Sequence, residues 1–350
     1  MAFDTNALQD MTKRRILICG STGFIGRNLA EALAEREDME VFGTFHQSPP
    51  LDDPGIRMTR ADLTDRADVD RVVAGMDVVI QAAAVTSGAK DIVQRPHIHV
   101  ADNAVMNALI FRAAFEAAVS HVVFLSCTTM YPSSDRPLKE TDFDANAPIY
   151  GPYFGGAWTK VYNEKICEFY CRQGKGRWTV IRHSNIYGPH DKYDLERSHV
   201  FGATVTKVET APEGGTIQVW GPGTEGRDLL YVSDLVDFVE AALAGQKTPF
   251  EIFNVGYGQA IEVKDLVRRI VEHSGKHLRI EHDLTKPTVR TSLCLDCTKA
   301  RQEVGWQPKV SLDEGIQRTL EWYRNKRLSA LSSPLSAGVA DSGQLTADSS

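Results

Sequence analysis

The chain has 350 residues, enough to bury a sizeable core in one large or two modest domains. At 42% hydrophobic and 24% charged residues, with a net charge of -7 and a pI of about 5.8, it has the composition of an ordinary globular protein, so neither a nucleic-acid nor a membrane partner is expected. No apolar run reaches the roughly 18–20 residues of a membrane span, the opening "MAFDTNALQDMTKRR" lacks a signal-peptide core, and six cysteines make no disulfide framework in so long a chain, so a reducing cytoplasm is the expected compartment.

Residues 1–13 read as a frayed leader. "RILICG" (15–20) is a short apolar run ending at glycine, the pattern of a buried strand. "FIGRNLAEALAERED" (24–38) has helical spacing, and "MEVFGTF" (39–45) is a second strand. "DVVIQAAA" (77–84) and "HVVFLS" (121–126) are two more strands, with a long alanine-rich helix over 98–119 between them. "WTVIRHSNIYGP" (178–189) is a strand running into a loop. This alternation predicts an α/β chain with a Rossmann-type, doubly wound parallel sheet over 14–189. Beyond 190 the elements shorten, which predicts a smaller C-terminal α/β substrate lobe over 190–327 that can return elements to the main sheet. The serine-rich stretch 328–350 carries no core pattern and reads as a disordered tail. There is no internal repeat.

"GSTGFIG" places Gly20, Gly23 and Gly26 directly after a strand and directly before a helix. Small residues there let the backbone approach a pyrophosphate at a helix N-terminus. The expected cofactor contacts are Gly20, Thr22, Gly23, Phe24, Ile25 and Gly26, with His46, Asp62, Leu63 and Ala82 at neighbouring strand ends. The second strand ends in Thr44, Phe45 and His46, which offer neither an acid for a ribose diol nor an arginine for a 2′-phosphate. NAD and NADP therefore both stay open. "CLDC" (Cys294 to Cys297) has zinc-knuckle spacing but no partner pair, so no metal is expected; it reads as a strand leading into a helix at "DCTKAR". Cys167 and Cys171, four apart, read as a buried helical stripe. His97 and His99 read as surface or cap positions.

Together "GSTGFIG", "ADLTD", "FLSCTTMYP", a helical lysine, "RHSNIYGPHD", "RDLLYVSDL" and "GWQPKVSLDEGIQRTLEWY" resemble the extended short-chain dehydrogenase/reductases acting on nucleotide sugars, over about residues 14–326. "NIYGPHDKYDLERSHV", "VWGPGTEGRDLL" and "KPTVRTSLCLD" are similar to the GDP-L-fucose synthase branch. The resemblance implies that Lys160 holds the nicotinamide ribose. It puts Cys127 where a catalytic serine or threonine is expected, Thr129 where the branch has its epimerisation base, Thr128 between them, and His199 at the epimerisation acid. It makes Asn185, His199, Trp220, Arg227 and Lys286 nucleotide-sugar contacts, with Lys207 in place of a binding arginine. It also implies a homodimer built on two long helices, and a GDP-linked hexose or heptose as substrate.

One position departs. The family's tyrosine acid/base stands four residues before the lysine, one helical turn away, and in "IYGPYFGGAWTKVYNEK" (149–165) that place is Gly156. A positioned acid/base contributes about 10²–10⁴-fold to rate, and glycine contributes none. Tyr153 and Tyr150 precede the expected helix start near Gly155 and could fold in from a loop; Cys127, a thiol beside a lysine, is the other replacement. Two readings stay open: an enzyme with a non-standard proton route, and a nucleotide-sugar binding protein that has lost catalysis on the same frame.

Overall fold

Along Arg14–Cys19 (β1) the side chains of Ile16 and Ile18 face one side of the main sheet, and those of Leu17 and Cys19 face the other. Burial on both faces is why the run is apolar without alternation. The computed structural model describes residues 13–332 apart from Ser87, Lys175, Glu196 and Pro287.

After β1 come Phe24–Ala34 (α1), Met39–Phe45 (β2), Ile56–Arg60 (β3), Arg66–Val73 (α2) and Val78–Gln81 (β4). Ala89–Gln94 (α3), Ala101–Glu116 (α4), His121–Leu125 (β5), Phe154–Arg172 (α5) and Arg177–His183 (β6) complete the first half. The order in the sheet is β3, β2, β1, β4, β5, β6, followed by a late strand, Phe250–Val255, and every pairing is parallel. Winding reverses between β1 and β4, so a crevice opens at their C-terminal ends.

The second half contributes Asn185–Tyr187 (β7), Val200–Thr210 (α6), Thr216–Trp220 (β8), Gly226–Tyr231 (β9) and Val232–Gly245 (α7). The late strand of the main sheet is β10; then come Ala260–Glu262 (β11), Val263–Ser274 (α8), Arg279–Asp283 (β12), Thr298–Val304 (α9) and Leu312–Ser332 (α10). β7, β9 and β11 form one small sheet, and β8 pairs with β12. Phe201, Val205, Leu266, Ile270, Ile316 and Leu320 give this lobe its own core.

Several expectations are corrected here. The helix predicted over 24–38 ends at Ala34, and the one predicted over 98–119 divides into a 3-10 turn, Pro96–His99, followed by α4. The strand predicted over 178–189 is two strands in two sheets, β6 and β7. α10 continues to Ser332, past residue 328 where the tail was expected to begin. Residues 1–12 of the expected leader and 333–350 of the expected tail lie outside the described residues.

Candidate active site

The C-terminal ends of β1, β4, β5 and β6 and the facing surface of the small lobe enclose a cavity of about 680 Å³. Gly20, Thr22, Gly23, Phe24, Ile25 and Ala82 line its floor. Gly20 has φ +77, and a Cβ there would lie 2.6 Å from the Ala83 Cα. A Cβ at Gly26 would lie 2.2 Å from the Gly20 carbonyl oxygen, so these two glycines let β1, α1 and the chain after β4 meet. Gly23 differs: a Cβ there would find only the Gly20 oxygen, at 3.2 Å, and the residue faces the cavity. It caps α1 without a side-chain hydrogen bond, which leaves the first backbone N–H groups for a ligand. An uncapped helix start over a glycine floor at the winding reversal fits the pyrophosphate of a dinucleotide.

Thr44 is absorbed by the fold: its Oγ1 accepts from the Gly20 N–H at 2.9 Å, and its carbonyl accepts from Ser21 Oγ at 3.0 Å. His46 Nε2 and Asp62 Oδ2 stand 3.9 Å apart at the ends of β2 and β3, and neither these two nor Leu63 and Gly26 line the cavity. Hydrogen bonds from Thr64 hold the Asp62 carboxyl below the usual carboxylate range.

Over this floor stands Lys160 of α5. Its Nζ donates to the Leu125 carbonyl at 2.8 Å and lies 4.8 Å from the Phe124 ring centroid. Burial lowers the ammonium's pKa, and the proximity of Cys127 and Glu164 opposes that shift. Gly156 also faces the cavity, and a Cβ there would have no neighbour closer than the His99 Cβ at 3.9 Å. A side chain could therefore leave the helix at this position without meeting a neighbour at its first carbon. His99, expected at the surface or as a cap, belongs to the cavity wall.

Cys127, Thr128 and Thr129 follow β5 and line the same cavity, with Cys127 Sγ 3.1 Å from Thr129 Oγ1. A buried network fixes this turn: Ser126 Oγ donates to Glu164 Oε1 at 2.6 Å, and Arg182 Nη2 reaches Glu164 Oε2 at 2.6 Å. Tyr153 is brought in by a 3-10 turn, Gly151–Tyr153, that runs straight into α5. Its phenol sits among Arg227, Cys127 and Thr291; burial raises its pKa, and Arg227 works against that rise. Tyr150 stays off the wall, its ring centroid 5.5 Å from that of Tyr153.

His199 faces the cavity from the start of α6. Desolvation within the cleft, and then the nearby charges of Lys192, Arg227 and His99, lower its pKa from the usual imidazole value. Burial takes His183 further down, to about 4, and raises the Asp191 carboxyl to about 7. Asn185 Nδ2 donates to the Asp228 carbonyl at 3.1 Å, and Arg227 Nη2 donates to the Val289 carbonyl at 2.7 Å. Lys207 donates to the Gln218 carbonyl at 2.6 Å and lies 5.8 Å from the Trp220 ring centroid. All four of Asn185, Lys207, Trp220 and Arg227 line the cavity. Lys286 does not: it is exposed in the turn after β12, although Thr288 and Val289 beside it are on the wall. His183 and Asp191 lie within "RHSNIYGPHD" and Glu225 within "VWGPGTEGRDLL", but the sequence assigns them no role; the structure places all three on the same cavity.

A family model described as "NAD dependent epimerase/dehydratase family" matches residues 16–256. The chain is 30% identical over 318 residues to a GDP-L-fucose synthase of Azorhizobium caulinodans, covering 89% of this chain and 96% of that one. It is 25% identical to a GDP-L-colitose synthase of Yersinia pseudotuberculosis, covering 89% and 99%. Among solved structures, a UDP-glucose 4-epimerase of Thermotoga maritima with UDP-glucose superposes with a TM-score of 0.77 at 25% identity, covering 89% and 99%. On the family match, the winding of the sheet and the glycine floor, the chain belongs to the NAD dependent epimerase/dehydratase family.

Proposed function

We propose that this protein is a nucleotide-sugar oxidoreductase or epimerase that uses bound NAD or NADP on a GDP-linked hexose or heptose, with a proton route that does not use a tyrosine at position 156. The observation that carries this reading is one cavity lined by the glycine floor, Lys160, Cys127, His199 and Arg227. The GDP linkage is supported by the similarity to the fucose and colitose synthases.

When bound, the dinucleotide supplies hydride exchange with a sugar carbon. Lys160 supplies positive charge next to Cys127 and a donor for a ribose hydroxyl. Cys127 Sγ passes a proton to or from the sugar oxygen, with Thr129 Oγ1 at 3.1 Å and the Tyr153 phenol beside it to carry the proton onward. His199, expected as the epimerisation acid, has a lowered pKa that favours the unprotonated ring, so the proposal reverses its role and has it accept a proton from the sugar. Arg227 binds phosphate oxygens through its planar fork.

A homodimer is part of the proposal. Val105, Phe154, Tyr162 and Phe169 are large exposed apolar or aromatic side chains on α4 and α5. Two copies pairing these helices about a two-fold axis would cover them. Among the described residues no helix is long and apolar enough to cross a membrane, and all six cysteines are free, which supports the cytoplasm as compartment.

The open place at Gly156 favours a second reading, a nucleotide-sugar binding protein without turnover. The test is absorbance at about 340 nm of the purified protein, release and identification of any bound dinucleotide, and then turnover of GDP-4-keto sugars. Bound cofactor with turnover is expected. Failure to bind either dinucleotide overturns the proposal, and binding without turnover on any GDP-4-keto hexose or heptose favours the second reading.

A further inference from the structure

The loop between β8 and β9 carries a carboxylate that the fold leaves unused. Glu225 is 8% exposed, lines the cavity, and its Oε1 has no hydrogen-bond partner. The nearby cation does not satisfy it: Arg227 gives its hydrogen bonds to the carbonyls of Gly226, Val289 and Thr291. The Glu225 backbone is fixed, since its carbonyl accepts from the Val263 N–H at 3.1 Å as α8 begins. A carboxylate oxygen buried without a partner is costly, and a native fold keeps one where a ligand completes it.

The surroundings narrow that ligand. Ile217, Val219, Val263 and Val267 give this end of the cavity an aliphatic wall, and Trp220 adds a flat aromatic face. A slot of that kind accepts a planar base. A carboxylate accepts two parallel hydrogen bonds and donates none. Guanine presents N1–H and N2–H side by side along one edge. Uracil and thymine present a single N–H flanked by two carbonyl oxygens, which a carboxylate repels. Adenine and cytosine set their amino group beside a ring acceptor.

We propose that Glu225 is the residue that selects guanine, its carboxylate accepting from N1–H and N2–H of the base. This rests on the GDP-sugar reading and assigns that reading's specificity to one side chain. No bond is made or broken; the base edge supplies the partner that the buried Oε1 lacks.

The experiment is calorimetric titration of the full-length protein and its Glu225→Ala variant with GDP, IDP and UDP. IDP keeps the ribose, the diphosphate and N1–H but lacks the N2 amino group. The wild type should bind GDP roughly 10- to 100-fold more tightly than IDP, the worth of one hydrogen bond to a charged group. In Glu225→Ala that gap should close while UDP affinity holds or rises, since the carboxylate that repels the carbonyl oxygens of uracil is gone. A wild type that prefers UDP to GDP overturns the GDP-sugar reading and this inference with it. A wild type that prefers GDP to UDP yet binds GDP and IDP alike overturns this inference alone, and that comparison needs no variant. Equal weakening of all three nucleotides by Glu225→Ala also overturns it, since it would place the carboxylate on the ribose.

Discussion

Lys160 Nζ donates to the Leu125 carbonyl at 2.8 Å, so this cavity-lining ammonium is tied to the end of β5, two residues before Cys127. The tie explains how lysine and thiol stay paired although the tyrosine that would stand one turn before Lys160 is absent.

The first prediction follows from that pairing. Lys160→Met should cut turnover by about 10²-fold or more while changing dinucleotide affinity far less, because charge next to the proton carrier matters more to the reaction than one ribose contact. Cys127→Ala should cost a similar factor, and Cys127→Ser should recover part of it by restoring a hydroxyl next to Thr129. Steady-state kinetics with a cofactor titration for each variant separates the effects. A Cys127→Ala enzyme with wild-type turnover would move the proton route to Tyr153 or His199.

A second prediction concerns what holds the turn after β5. Glu164 lies one helical turn beyond Lys160 and pairs with Arg182 at 2.6 Å in the core, where the two side chains are 2% and 4% exposed. It also accepts from Ser126 Oγ at 2.6 Å. Replacing Glu164 by Gln leaves the guanidinium buried without its counter-charge, and removing one partner of such a pair costs about 3–5 kcal/mol. Urea unfolding should show a loss of that order. Glu164→Leu combined with Arg182→Met should be more stable than Glu164→Gln, because no charge is then stranded. The opposite order would mean that the network stabilises the fold beyond cancelling its own desolvation.

The sequence makes the centre of the main sheet legible because β1, β4 and β5 are buried on both faces and so read as unbroken apolar runs. It hides β3, "IRMTR", whose edge position leaves it polar and alternating, and α2, where Arg66, Asp68, Asp70 and Arg71 mask a stripe of Val69, Val72 and Val73. That β10 pairs with β6 in the main sheet follows from packing across some seventy residues of intervening chain, which no local period encodes. In the site, most residues carried by motifs line the cavity; Gly26, His46, Asp62 and Leu63 among the expected cofactor contacts do not, nor does Lys286 among the proposed sugar contacts. Glu225, Asp191 and His183 sit inside quoted motifs, but nothing local to those motifs sets them apart; they stand out only by what they face.

A third prediction is a pH effect. His121 is fully buried in β5, with Nε2 2.8 Å from Thr179 Oγ1 and Nδ1 unpartnered, and burial lowers its pKa from 6.5 to about 3. The native imidazole stays neutral while the unfolded chain takes up a proton below pH 6.5, so stability falls as pH drops from 6.5 toward 3. By pH 5 this one group costs about 2 kcal/mol. Asp228, raised to about 6, acts in the opposite sense, because the native carboxyl binds a proton before the unfolded one does. The test is therefore a difference: His121→Gln should flatten the fall of Tm between pH 6.5 and pH 5 relative to the wild type. Parallel curves would show that His121 contributes nothing to the acid sensitivity.

The last prediction puts the tyrosine back. A Cβ at position 156 meets nothing closer than 3.9 Å, so Gly156→Tyr needs no backbone movement at the point of attachment. It also removes a glycine from inside α5, worth up to about 1 kcal/mol of helix stability. The variant should fold at least as stably as the wild type, with its new phenol one turn before Lys160 and facing the same cavity. If Cys127 carries the proton in the wild type, the wild type turns over GDP-sugars unaided and the added tyrosine changes the rate by less than about tenfold, since a second acid/base duplicates a function already supplied. The phenol should then make the thiol dispensable, so that Gly156→Tyr combined with Cys127→Ala recovers most of what Cys127→Ala alone loses. A wild type that is inert with every GDP-4-keto sugar, and a Gly156→Tyr variant that reduces one of them, would identify the protein as a binder whose catalysis lapsed at this single position.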